Sequence, residues 1–278
     1  MSKNSRVHSK GKKLRSFDKL IQDMTLKPQT FYECRSKLKR VKELENYDFE
    51  TLYESLENLR VLGIPLVELK NNYIALETTF TPIERQRFCI VDIETSGSKP
   101  DSSQIIEIGA LMIENGKEIG RFESFVKADV IPDNIIRLTG ITLEHVKDAP
   151  SLKSVLERFR VFLKDAVFMA HNVNFDYGFI SSSMESAGFG PLLNRKICTI
   201  DLAKKTIVAP RYGLSFLTEH LEIKGQQHHR AFSDAYAATV VFETSLKNIP
   251  EHIITTEDLL NFAKPIPKKR KKKNKASL

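Results

Sequence analysis

The chain has 278 residues, 41% hydrophobic and 28% charged, with a net charge of +8. That is enough apolar material for more than one buried core, and it excludes a wholly disordered chain. No apolar run reaches membrane-spanning length and the basic start lacks a following hydrophobic segment, so neither a bilayer span nor a secretory signal is expected.

Cys34, Cys89 and Cys198 are odd in number and lie in or beside apolar segments, which argues for reduced thiols in the cytoplasm rather than a disulfide framework. Charge is concentrated at the ends: residues 1–15 carry six bases and no acid, and the stretch from Lys264 onward carries eight bases and no acid, which leaves the middle at −6. Residues 1–15 therefore read as a disordered basic N-terminus and 249–278 as a C-terminal extension with a basic tail. Such runs suit nucleic-acid phosphates or another anionic partner, and equally a nuclear address or a solubilising end.

In chain order, residues 16–84 read as a small helical unit, with helices predicted over 17–24, 29–38 and 49–62. A two-strand ribbon follows over 64–68 and 73–77, turned at Asn71-Asn72. Three helices and a hairpin outline a winged helix, and LENLRVLGIPLVELKNNYIAL at 56–76 resembles the third helix and wing of such modules. A DNA-reading third helix should be attracted to phosphate. Here Asp48, Glu50, Glu54 and Glu57 stand against Arg60, so a protein-docking or structural role is expected. Residues 78–84 read as a linker.

The unit over 85–248 opens on Phe88-Cys89-Ile90-Val91, an apolar run continuing into VDIET that reads as a strand buried on both faces. Residues 105–113 and 121–126 read as an antiparallel pair around the turn Glu114-Asn115-Gly116. Helices follow over 132–137 and 151–163, the latter with Leu152, Val155, Leu156, Phe159 and Leu163 on one stripe. Then come a strand ending at His171, a helix over 177–187, a strand over 196–200, and helices over 215–221 and 234–246. TEDLLNF at 256–262 reads as a short amphipathic helix packed on this unit, although it also resembles the short hydrophobic peptides that bind sliding clamps. The order describes a mixed α/β fold.

Three segments carry the chemistry. Asp92 and Glu94, two apart on a strand, share a face at the strand's end, where Thr95, Ser96 and Gly97 break the pattern. Asp176 follows the apolar stretch before His171-Asn172 and starts a helix, where an acid commonly serves as a cap. Asp234 lies on a helical stretch with His229 five residues earlier in the preceding loop. Crowded carboxylates repel unless protonated or bridged by a cation, and two divalent ions about 3.5–4 Å apart can stabilise both oxygens of an in-line phosphoryl displacement. Hard oxygen ligands suit Mg²⁺ or Mn²⁺.

FCIVDIETSG, QIIEIGALMIENG, LTGIT at 138–142, AHNVNFD at 170–176 and HRAFSDA at 229–235 occur in one order, and through them about residues 85–247 resemble the DEDD exonuclease superfamily. The branch is the one containing the proofreading epsilon subunit of bacterial DNA polymerase III. His229 stands five residues before Asp234 and Arg230 four, so the resemblance is to the His-bearing DEDDh type, with His228 a bystander.

The resemblance implies a ribonuclease H-like mixed five-stranded sheet with flanking helices. It further implies metal-dependent 3′→5′ hydrolysis of DNA to nucleoside 5′-monophosphates, with two Mg²⁺ or Mn²⁺ ions per site. Asp92 would bridge both ions, Glu94 and Asp234 complete one, and Asp176 hold the other. His229 would deprotonate the attacking water, its ordinary pKa of ~6.5 suiting that role. Thr95, Gly97, Asn172 and Phe175 resemble substrate-side residues; strand-ending turn and core are the competing roles for Gly97 and Phe175. Glu107 would be an acid near the site without being a ligand; His145 could contact a phosphate, although a solvated surface position is expected for it. Implied partners are single-stranded DNA 3′ ends and a polymerase catalytic subunit. An RNA exonuclease and a non-catalytic nucleic-acid-binding scaffold remain alternatives.

Overall fold

The computed structural model describes residues 16–224 and 229–266. The basic runs over 1–15 and 267–278, and His228, lie outside the described residues. Among those described, no helix is long and apolar enough to cross a membrane.

The N-terminal region contains α1 (Phe17–Leu26), β1 (Gln29–Thr30), α2 (Phe31–Leu38), α3 (Phe49–Tyr53), α4 (Leu56–Val61), β2 (Leu66–Leu69) and β3 (Tyr73–Leu76), and its strands form a small sheet in the order β1-β3-β2. Two predicted helices are corrected. That over 29–38 begins only at Phe31, because Gln29 and Thr30 pair with β3 and Thr30 closes a capping box with Glu33. That over 49–62 is two helices. Ser55 is extended, and its hydroxyl accepts from the Glu57 N–H, so the side chain caps a new helix. The ribbon forms as expected, with Asn71 and Asn72 at φ 62° and 58° in its turn. Leu20, Met24, Cys34, Leu38, Leu59, Ile64 and Leu76 form the centre of this region's core.

Beyond it run β4 (Phe88–Thr95), β5 (Ile105–Glu114), β6 (Lys117–Phe125), α5 (Asp133–Thr139), α6 (Leu143–Val146), α7 (Leu152–Leu163), β7 (Val167–Ala170), α8 (Val173–Ser186), β8 (Lys196–Cys198), α9 (Thr199–Thr206), α10 (Leu214–His220), α11 (Ala231–Leu246) and α12 (Thr256–Phe262). The strands form one five-stranded sheet, β6-β5-β4-β7-β8, antiparallel on the β6-β5-β4 side and parallel across β4-β7-β8. This is the mixed sheet the resemblance implied.

Four details differ from the sequence reading. β6 starts at Lys117 rather than 121, because Asn115 and Gly116, both at positive φ, turn the chain in two residues. Helix α8 starts at Val173 rather than 177, which places Asp176 within its first turn. The strand predicted to 200 ends at Cys198, where α9 begins; Thr199 is fully buried and its hydroxyl lies 2.8 Å from His171 Nδ1. The four-residue α6 was not anticipated.

Both sheet faces are covered. Cys89, Val91 and Ile93 pack with Val155, Phe159 and Phe179 from α7 and α8, while Phe88 and Ile90 pack with Ala238, Phe242 and Leu259 from α11 and α12. Helix α12 is thus a packed amphipathic helix, with Leu259 and Leu260 buried. The N-terminal region is fastened at the start of β7. Asp165, 4% exposed, pairs with Arg60 and Arg87, each at 2.9 Å, and Tyr47 donates to the Phe189 carbonyl at 2.6 Å. Phe88 lies opposite Val167, so this fastening is level with the start of β4 and far from its carboxylate end.

Candidate active site

Period-two alternation carries Asp92 and Glu94 onto the face of β4 that Phe88 and Ile90 present to α11. Across the antiparallel ladder Asp92 stands opposite Gly109 and Glu94 opposite Glu107; Phe125 of β6 stands opposite Glu107. Paired residues share a face, so Glu107 joins the acids. Helix α11 crosses this face so closely that a Cβ on Gly109 would lie 2.2 Å from the Phe232 nitrogen. That approach requires glycine and sets the first turn of α11, with Asp234, over the strand. The Asp234 carboxylate accepts from the His229 backbone N–H at 3.2 Å. Glu94, His229 and Asp234 offer ligand atoms that all lie within 4.8 Å of one another. Asp176, 3% exposed, enters from α8, its carboxylate facing the Ile93 backbone N–H.

The charges are crowded and poorly solvated. Burial raises the Asp92 pKa well above the usual carboxylate value, and the charges of Asp176, Asp234, Glu94 and Glu107 push it further. Burial and then the charge of Asp234 push Glu94 up to about 8, against a smaller opposing pull from Arg230. Burial lifts Asp176 to about 7, opposed by backbone hydrogen bonds. Carboxylates forced toward their protonated forms by burial and mutual repulsion need a cation to stay ionised near neutral pH. Clustered carboxylate oxygens are the donors that Mg²⁺ and Mn²⁺ prefer, so the residues fit the implied ions.

The structure therefore brings Asp92, Glu94, Asp176, Asp234 and His229 to one end of the sheet. His229, exposed and at φ 60°, has its ring among the donors rather than set back from them. Thr95 is buried and donates to the Gly97 carbonyl at 2.7 Å, while a Cβ on Gly97 would meet Ser103 Oγ at 2.4 Å; both residues build the turn that ends β4. Asn172 is exposed at φ 85°, immediately before α8. Phe175 is half-buried with its ring 5.9 Å from Phe179. His145 is exposed, stacks on Phe125 and accepts from the Thr142 N–H through Nδ1.

Two residues were under-read in the sequence. His171 reaches Thr199 Oγ1 and the Tyr212 carbonyl, each at 2.8 Å, and burial lowers its pKa to about 4. A carbonyl only accepts, so Nε2 carries the proton and the ring ties the end of β7 to two other segments. Its place beside Asn172 was the available signal. Arg230, used in the sequence only to measure spacing, donates to Glu107 from Nη2 at 2.8 Å and from Nε at 3.2 Å.

Comparison with known proteins agrees with this architecture. The exonuclease family model RNase_T matches residues 89–242. PolC-type DNA polymerase III of Staphylococcus haemolyticus is 34% identical over 191 residues, covering 68% of this chain and 13% of the polymerase. That of Staphylococcus aureus is 32% identical over 202 residues, covering 72% and 13%. The chain thus spans about an eighth of the length of these curated relatives. Among solved structures, E. coli exonuclease I in complex with a dT13 oligonucleotide superimposes with a TM-score of 0.53 at 17% identity, covering 59% of this chain and 41% of that one, a likeness of fold. With more than half of its length matched by that family model, the chain belongs to the RNase_T exonuclease family.

Proposed function

We propose that this chain is a divalent-metal-dependent 3′→5′ exonuclease that releases nucleoside 5′-monophosphates from single-stranded DNA ends and proofreads for a DNA polymerase. The observation carrying the proposal is the convergence of Asp92, Glu94, Asp176 and Asp234, from one strand and two helices, beside His229. Asp92, Glu94, Asp176 and Asp234 would together hold two Mg²⁺ or Mn²⁺ ions. When bound, such ions neutralise the scissile phosphate and acidify the attacking water.

His229 takes the proton of that water on a ring nitrogen. Its exposure lets the proton pass to solvent, and the bond from its backbone N–H to Asp234 fixes the loop. Thr95 and Gly97, at the turn after Glu94, and Asn172 and Phe175, before and within the first turn of α8, receive the terminal nucleotide. Phe175 offers an aromatic surface to the base or sugar.

The proofreading part of the proposal rests on the similarity to polymerase III chains. Residues 16–84 then serve as a docking unit, supported by the net acidic charge of the 48–60 segment and by the Asp165 fastening to the catalytic unit. A 5′-labelled single strand incubated with Mg²⁺ or Mn²⁺, with and without EDTA, tests the activity. Stepwise release of mononucleotides is expected, abolished by the chelator. No hydrolysis of any single strand overturns the proposal, and faster cleavage of a matched RNA strand overturns the DNA assignment. Co-purification with a polymerase subunit tests the partner.

A further inference from the structure

Glu107 is 7% exposed and stands opposite Glu94 in a site already crowded with acids. An additional buried carboxylate there is electrostatically unfavourable for the cluster unless something specific holds it. What holds it comes from one place. Arg230 Nη2 donates to Glu107 Oε1 at 2.8 Å, Arg230 Nε lies 3.2 and 3.3 Å from the two oxygens, and the Ala231 backbone N–H donates to Oε2 at 3.1 Å. The Arg230 guanidinium also lies over the Phe125 ring, 5.2 Å from its centroid, and Phe125 is the β6 residue directly opposite Glu107.

One carboxylate on the central antiparallel strands thus grips both the residue after His229 and the first amide of α11. The residue immediately before this grip is His229, and Asp234 lies three residues beyond it in the first turn of α11. His229 is at positive φ, a conformation uncommon for a residue with a side chain, and it follows residues outside the described structure. Its link to the sheet runs through Arg230. Gly109, two residues along β5 from Glu107, lets the helix end sit on the sheet. Gly109 permits the approach and Glu107 fixes its position.

We propose that Glu107 is a positioning residue: by clamping Arg230 and the Ala231 N–H to β5 it sets His229 against Asp92 and Glu94, without itself binding metal. The inference rests on the exonuclease reading above for the role of His229. The misplacement released by losing such a clamp slows a reaction by up to ~10²-fold.

The test uses the full chain. Glu107→Gln keeps the shape and removes the charge that grips Arg230; Arg230→Gln opens the clamp from the other side. Each is expected to lower kcat roughly 10- to 100-fold with KM within about twofold, and to leave the Mn²⁺ affinity measured by calorimetry within about threefold. Because Glu107 acts through His229, Glu107→Gln should cost nothing further in a His229→Ala background. A wild-type kcat in Glu107→Gln, an equal loss in the His229→Ala background, or a collapse of Mn²⁺ binding each overturns the inference.

Amide hydrogen exchange in the metal-free protein gives a second readout. The Ala231 N–H should exchange at least about tenfold faster in Glu107→Ala, which removes its acceptor, and unchanged protection there refutes the clamp whatever the activity. Should the wild-type chain hydrolyse no strand, the exonuclease reading fails, and the exchange result still decides the positioning claim.

Discussion

Chelating divalent ions and then raising the pH should destabilise this protein, in the opposite sense to most carboxylate effects. The Glu94 carboxyl stands at about 8 against an ordinary 4.5. In metal-free protein near neutral pH the native state therefore holds a proton that the unfolded chain has released. With more protons bound in the native state, stability is fullest below 4.5 and is lost as pH climbs to about 8. At about 1.4 kcal/mol per pKa unit the full shift would correspond to about 5 kcal/mol. Glu94 retains some contact with water, and Asp92 and Asp176 compete for the same protons, so a loss of about 2–3 kcal/mol is expected. For a chain of this size that lowers the melting temperature by roughly 5–10 °C.

His171 contributes the opposite slope. Its folded pKa of about 4 lies below the ordinary 6.5, so its contribution is lost as pH falls from 6.5 to 4. The clean window for the carboxylates is therefore from 6.5 upward to about 8. Differential scanning calorimetry in EDTA should show the melting temperature falling across it, and Mn²⁺ should raise the curve and flatten the fall. A metal-free melting temperature that is level or rising over that window, or that Mn²⁺ leaves unmoved at its upper end, refutes the proposed carboxylate site.

The other expectations concern single residues. His229→Ala should keep its fold and its Mn²⁺ affinity by calorimetry while losing ~10²–10⁴ in kcat; a parallel loss of Mn²⁺ binding would make His229 a ligand, as its place beside Glu94 and Asp234 permits. Gly109→Ala puts a methyl group 2.2 Å from the Phe232 nitrogen, so the end of α11 must lift from β5. Activity should fall by at least ~10²-fold while far-ultraviolet circular dichroism stays near wild type, and full activity would show that the helix end does not set the site. Asp165→Asn leaves Arg60 and Arg87 without their shared carboxylate, and because both cations reach solvent the cost should be about 1–3 kcal/mol. The readout is faster limited proteolysis between residues 77 and 87, and an unchanged cleavage rate would mean that this pair does not hold the N-terminal region in place.

The contrast between what the chain made legible and what it hid follows from the range of each interaction. Asp92 and Glu94 could be placed on one strand face, and Asp176 at the start of a helix, because alternation and element boundaries are local properties of sequence. The apolar stripe of α7 was legible for the same reason. The split between α3 and α4 turned instead on whether Ser55 would spend its hydroxyl on the Glu57 N–H, a local choice that apolar periodicity does not register. Glu107 and Arg230 lie 123 residues apart, and neither marks its partner. In IIEIGA, the glutamate looks like one more polar residue on a strand and the glycine like a weak strand former. Only with β5 beside β4 and α11 laid across both do they become a clamp and the gap that admits a helix. Side chains that touch substrate must be of a type the reaction dictates, so their identity and spacing carry the signal. Those that hold the others in place are constrained by distance in the folded chain, and for them a residue as ordinary as Gly109 can be as restrictive as a ligand.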